Sequence, residues 1–166
     1  MNYYGKTDIG KKRAENQDCF GYKELEEMTL LAVCDGMGGA TGGAVASKLA
    51  LDSFLAVCER DLKKDMPDNQ IRSILSAAAA EANSSVFKAA KQNKELSGMG
   101  TTLVSALITE NGIFIINVGE KGKYRSSELN SNGSEFSPCI YFSEMEIKYN
   151  SGYLRYIGNS IRAVCP

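Results

Sequence analysis

The chain has 166 residues, 43% of them hydrophobic, and 19 Lys and Arg offset 20 Asp and Glu to leave a net charge of −1. That length carries one domain with a real core and is too short for two of ordinary size. The charges are interspersed, with no basic cluster beyond "KKR" at 11 to 13, so nothing marks a nucleic-acid or anionic-membrane surface, and neither partner is expected.

Histidine is absent. Imidazole acid–base catalysis, the usual zinc sites and any Ser-His or Cys-His dyad go with it. Catalysis in this chain must use carboxylates, Arg, Lys or a hard metal. The start, "MNYYGKTDIGKKRAENQD", has no apolar signal-peptide core, and no run approaches the roughly 18 apolar residues of a membrane span, so a cytoplasmic protein is the expectation. Cysteines 19, 34, 58, 139 and 165 are odd in number and have no CxxC spacing. The first three lie in apolar patterns where a small buried thiol is common.

In chain order, "DCFGY" and the apolar run "TLLAVC" (29 to 34) read as adjacent strands joined across the polar "KELEEM". Leu51, Phe54, Leu55, Cys58 and Leu62 recur at helical spacing and predict a helix from about 43 to 63. Pro67 and Asp68 open a second helix, in which Ile71, Ile74, Leu75, Ala78, Ala79, Ala82 and Val86 keep the 3.6 period. "TTLVSALI" and "IFIINV" flank "TENG", where Asn111-Gly112 suits a tight hairpin turn. Residues 1 to 119 therefore read β-β-α-α-β-β, an α+β pattern with helices and antiparallel strands segregated along the chain. From 120 to 166 the composition changes to eight Ser and five of the eight Tyr, with no Asp and no helical period. This predicts a second region of short strands and turns.

The stretch "LLAVCDGMGGATGGAVAS" sets an acid, Asp35, directly after an apolar strand and before a crowd of glycines. Asp-Gly is a common turn pair, and taken alone it is most often only that. The glycines do not form a Walker loop, which needs Gly-Lys-Ser/Thr, and a dinucleotide fingerprint counted from Gly36 meets Thr41 where its last glycine belongs. A hard-metal site is the other reading. The Asp35 carboxylate at a strand end and the neighbouring Gly36 carbonyl both offer oxygen to Mg²⁺ or Mn²⁺. Asp18, at the start of the adjacent strand, can converge on the same place. Arg13, five residues earlier, has a planar fork suited to a phosphate, although a lone Arg is more often a solvated charge.

"TDIGKKRAENQDCF", "LLAVCDGMGGATGGAVAS", "GMGTTLVSALI" and "IFIINVG", in this order and spacing, resemble the successive motifs of the metal-dependent protein phosphatases of type 2C (the PPM family), bacterial branch. The resemblance covers residues 4 to 119. It implies an αββα sandwich, two antiparallel sheets flanked by helices, with two Mg²⁺ or Mn²⁺ ions in a channel between the sheets and phosphoserine and phosphothreonine proteins as substrates. It implies that Asp35 bridges both metals, that the Gly36 carbonyl completes one coordination sphere, that Asp18 holds metal-bound water, and that Arg13 grips the substrate phosphate. Gln17 stands where many members carry a Glu that contacts metal or its water, and a neutral amide there weakens the contact.

The resemblance stops after "NVG". Members continue with further strands that supply at least two more metal-binding aspartates, whereas Asp68 is the last aspartate in this chain. Residues 1–119 are therefore expected to be a partial phosphatase domain, truncated and impaired, and 120–166 an unrelated β-rich tail. "YRSSELNSNGSEFSPCIYFSEMEIKYNSGYLRYIGNSIRAVCP" weakly resembles the end of a C-type-lectin-like module of bacterial surface proteins. Its plainer reading is a Ser/Asn-rich tail. The alternative function is a non-catalytic pseudophosphatase or binding module. With the second sheet incomplete, the chain is also expected to self-associate through uncovered apolar surface.

Overall fold

The computed structural model describes residues 5–11, 14–118, 145–149, 152–157 and 160–164. The expected change of character near residue 119 and the Ser-rich segment after it lie mostly outside these residues.

Strands β1 (Asp18–Leu25) and β2 (Met28–Met37) form an antiparallel hairpin. Helices α1 (Gly39–Asp61) and α2 (Asp68–Gln92) follow, then a 3₁₀ turn at Lys94–Leu96. The chain returns to the sheet through β3 (Gly100–Thr101), β4 (Leu103–Thr109) and β5 (Gly112–Val118). The strand order is β1-β2-β4-β5, antiparallel throughout, with the short β3 paired to the end of β2. Three further strands, β6 (Met145–Tyr149), β7 (Gly152–Ile157) and β8 (Ser160–Val164), form an antiparallel meander of their own. The arrangement is α+β, as the segregated pattern implies.

Alternation assigns the faces of the main sheet. Leu30, Ala32 and Cys34 of β2, Leu103 and Leu107 of β4 and Phe114 of β5 join a core completed by Phe54 and Cys58 of α1 and by Leu75, Ala82 and Val86 of α2. The residues between them turn to the other face, where Val104, Ala106 and Ile108 are buried against Leu31, Val33, Ile113 and Ile115. A strand buried on both faces reads as a continuous apolar run rather than an alternating one, which accounts for "LVSALI". In α2 the small residues Ala78, Ala79 and Ala82 are buried, and they let the two helix backbones approach closely. The Arg72 guanidinium lies 5.3 Å from the centre of the Phe114 ring and ties α2 to β5.

Four boundaries differ from expectation. β2 does not end at Cys34 but continues through Asp35 and Gly36 to Met37, because both flanking segments hydrogen-bond to it there. α1 begins at Gly39 rather than near 43, so the glycine-rich stretch is mostly the first turns of a helix. The second hairpin turns on Glu110 and Asn111, with Thr109 opposite Gly112, and Gly112 takes φ 154° as the first residue of β5. The first hairpin is tighter than "KELEEM" suggests: Leu25 pairs with Met28 around Glu26 and Glu27, and Glu26 takes φ 53°.

Phe54 is fully buried at the centre of the helix–sheet core. Phe54→Ala is expected to cost about 3–5 kcal/mol through lost burial and the cavity it leaves. Urea unfolding should show this as a lower midpoint at unchanged slope. Ser76→Ala, at an exposed position of α2, should stay within about 0.5 kcal/mol.

Candidate functional site

The two acids singled out by sequence meet across the β1–β2 ladder, where Asp18 is the register partner of Asp35. Cross-strand partners project on the same face of a sheet, so the two carboxylates share one side. The Asp35 backbone is held from the opposite flank. Its N–H donates to Thr102 Oγ1 (2.8 Å) and its carbonyl accepts from the Thr102 N–H (2.9 Å). Those groups therefore point away from β1, and Asp18–Asp35 is a non-hydrogen-bonded position, where paired Cα atoms stand about 4.5 Å apart. At that spacing both side chains reach one ion or its hydration shell. Like charges directly opposite each other repel, and a cation between them removes the repulsion.

The backbone around the pair is clamped. Gly36 N–H donates to the Gln17 carbonyl (3.0 Å). A Cβ at Gly36 would overlap the Gly43 carbonyl oxygen and stand 2.6 Å from the Gln17 carbonyl oxygen. One on Gly43 would run into the Gln17 side-chain amide. Gly38, at φ 130°, turns the chain from β2 into α1, and a Cβ there would lie 2.5 Å from Met99 Cα. Glycine is required at 36 and 43 by close approach and at 38 by both close approach and conformation. The motif's glycines thus press the start of α1 onto the end of β2. They do not form a flexible phosphate loop.

Ahead of β1, Asn16 Oδ1 accepts from the Asp18 N–H (3.0 Å), and Asn16 Nδ2 donates to Thr7 Oγ1 (2.9 Å). These bonds tie Asn16 to Thr7 and to the start of β1; Arg13 lies outside the described residues. Asp18 Oδ1 is buried without a hydrogen-bond partner. A buried carboxylate oxygen is costly to leave so, and an oxygen-seeking cation or its water would satisfy it. The donors gathered here, two carboxylates with backbone and amide oxygens, suit a hard ion rather than zinc or copper. Among the described residues no group of three or more His, Cys, Asp or Glu side chains could hold a metal. The residues that sequence reasoning missed are Thr101 and Thr102. Both are buried, and Thr101 Oγ1 donates to the Thr102 carbonyl (3.0 Å). The "TT" of "GMGTTL" was the available signal.

Behind the acids, on the helix-facing side, Cys19 and Cys34 are also register partners. Their thiols hydrogen-bond to each other, which together with burial raises Cys34 well above the ordinary thiol range and, outweighing burial, lowers Cys19. Burial, with the nearby charge of Asp61, pushes Cys58 up to about 12.

Comparison with known proteins bears on this arrangement. The family model for protein phosphatase 2C matches residues 7–122. The serine/threonine phosphatase stp of Listeria innocua is 32% identical over 120 residues, covering 72% of this chain and 47% of the relative. The serine/threonine protein phosphatase PstP of Mycobacterium tuberculosis is 32% identical over 131 residues, covering 78% and 24%. Among solved structures, a Staphylococcus aureus serine/threonine phosphatase superposes with TM-score 0.61 at 36% identity, over 69% of this chain and 44% of that one. The M. tuberculosis PstP crystal structure gives 0.58 at 31%, over 69% and 45%. The chain spans about half the length of the first of these curated relatives and a quarter of the second.

Gly36→Ala tests the clamp. Because the new methyl would meet backbone on two sides, a destabilisation of at least about 2 kcal/mol is expected from overpacking. Gly98→Ala, with φ 79° but open space, should cost about 1 kcal/mol from conformation alone. Chemical unfolding of both variants gives the comparison.

Proposed function

Since the chain belongs to the protein phosphatase 2C family, we propose that the Asp18–Asp35 pair is part of the centre of a metal-dependent phosphatase acting on phosphoserine and phosphothreonine in proteins. The observation that carries this is the register of two carboxylates on one face, with Asp18 Oδ1 buried and unpartnered beside the glycine clamp. Mg²⁺ or Mn²⁺, when bound, supplies Lewis acidity, lowering the pKa of water and offsetting phosphoryl charge. Asp35 and the Gly36 carbonyl are the proposed ligands, and Asp18 the acceptor that orients water at the site. Gln17, whose side chain lies against Gly43, is a neutral neighbour in that shell. Arg13 is proposed to engage the phosphate of the substrate.

The shortage of carboxylates decides the expected strength. Two acids and a carbonyl leave a strongly hydrated dication with most of its water, so binding by this chain alone is weak and its turnover impaired. That shortage also favours a second reading, a phosphoprotein-binding module without turnover. Hydrolysis of p-nitrophenyl phosphate with Mn²⁺ separates the two: turnover abolished by a chelator supports the phosphatase, and none above the metal blank supports the binding module. Among the described residues no helix is long and apolar enough to cross a membrane, and the cytoplasm is the proposed compartment. Self-association is proposed through β1, the last strand in the order of its sheet, where Phe20 and Tyr22 stand exposed on one face. Light scattering should show species larger than monomer, and a monodisperse monomer would overturn that part.

Metal binding has its own readout. Mn²⁺ at ten times its dissociation constant should stabilise the wild type by about 1.4 kcal/mol. Asp35→Asn should abolish the shift, whereas Asp52→Asn, on the exposed side of α1 where Asp52 pairs with Lys48, should retain it. Thermal melts across a Mn²⁺ series test this, and equal shifts in all three proteins would remove Asp35 from the site.

A further inference from the structure

The hairpin that presents the acids on one face presents two thiols on the other. Asp35 directs its backbone groups to Thr102, so its neighbours Cys34 and Gly36 direct theirs to β1, as the Gly36 bond to Gln17 shows. Cys19–Cys34 is therefore a hydrogen-bonded pair of the ladder, with Cα atoms about 5.5 Å apart. That lies within the roughly 4.4–6.8 Å span a disulfide bridges. The side chains share one face, and their thiols are in hydrogen-bond contact with each other. Both are present as free thiols.

Access is one-sided. Cys34 is fully buried at 0% exposure, while Cys19 is only partly covered, at the flank where α1 brings Ser47 into hydrogen-bond contact with its thiol. The arrangement is a partly covered cysteine backed by a fully buried one. Cys58 is 0% exposed and is not a register partner of either.

We propose that Cys19 and Cys34 form a reversible peroxide-responsive dithiol, closing to a cross-strand disulfide. The Cys19 sulfur, as thiolate, attacks one oxygen of hydrogen peroxide, the O–O bond breaks, and hydroxide leaves to give Cys19 sulfenic acid. The Cys34 sulfur then attacks the Cys19 sulfur, the S–O bond breaks, and water leaves with the Cys34 proton. Two thiols lose two electrons in total, and peroxide is reduced to two waters. A disulfide across a hydrogen-bonded strand pair is constrained by the ladder, and constrained disulfides are the more easily reduced ones, so thiols such as dithiothreitol should reopen it.

Tryptic cleavage separates the two partners, because Lys23 lies between them: Cys19 falls in residues 14–23, Cys34 in 24–48 and Cys58 in 49–60. The experiment uses the full chain carrying Cys139→Ser and Cys165→Ser, treated with hydrogen peroxide, denatured, alkylated and digested without reductant. The expected product joins 14–23 to 24–48 and is two hydrogen atoms lighter than the sum of the free peptides. It should vanish on dithiothreitol treatment, while Cys58 is recovered alkylated. In Cys34→Ser the joined product should be absent and Cys19 should instead trap dimedone as sulfenic acid. In Cys19→Ser, peroxide should leave Cys34 alkylatable. Recovery of both thiols unoxidised in the parent, or stable sulfinic acid on Cys19 with Cys34 still free, would overturn the proposal. Circular dichroism matching the parent identifies which single variants are folded, and the parent peptide map decides the matter without them.

Discussion

The pairing of β1 with β2 in one register is the constraint on which the rest depends. Side chains alternate with period two, so a slip of one residue would exchange the faces. With β1 displaced by one residue against β2, Asp18 would enter the helix-facing core and Cys19 would take its place beside Asp35. Several features hold the register. Gly36 bonds to Gln17 beyond one end, the two-residue turn closes the other, and Leu30, Ala32 and Cys34 are committed to the core beneath α1. The apolar pattern thus stabilises an arrangement of carboxylates that is unfavourable in itself.

The glycines work by the same logic of close approach. The sheet's end, the segment before β1 and the first turns of α1 converge on Gly36 and Gly43 with no room for a Cβ. Thr102 meets the same strand from the other side. A carboxylate on a loop would sample many positions, but Asp35 sits in a strand bonded on both flanks. Its orientation is paid for in backbone hydrogen bonds rather than by the metal.

Much of this was legible in the sequence because long periodic segments speak plainly. The buried face of α2 follows Ile71, Leu75, Ala78, Ala82 and Val86, and the four motifs in order imply a family that the comparisons bear out. The boundaries were less legible, for reasons specific to each. Asp-Gly and a run of glycines favour turns locally, and glycine is the poorest helix former after proline. Nothing local announces that Thr102 will hold Asp35 in a strand or that α1 will start within the glycines, since both follow from contacts between segments far apart in sequence. The roles assigned to Arg13, Asp18, Asp35 and Gly36 rest on the resemblance and on chemistry. The geometry adds that Asp18 and Asp35 face each other.

The turn at Glu26 and Glu27 lies beyond the end of β1 opposite Asp18; the strand's last residue, Leu25, is seven residues from Asp18, about 24 Å at strand rise. Glu27 there makes an exposed ion pair with Lys64 (2.6 Å), of a kind that contributes little to stability. Short exposed tips of this sort accept inserted sequence more readily than the elements they join. The hairpin therefore has a permissive end remote from its chemistry, a natural attachment point for a fluorophore or surface-immobilisation handle that would leave the acids, the glycine clamp and the thiol pair undisturbed.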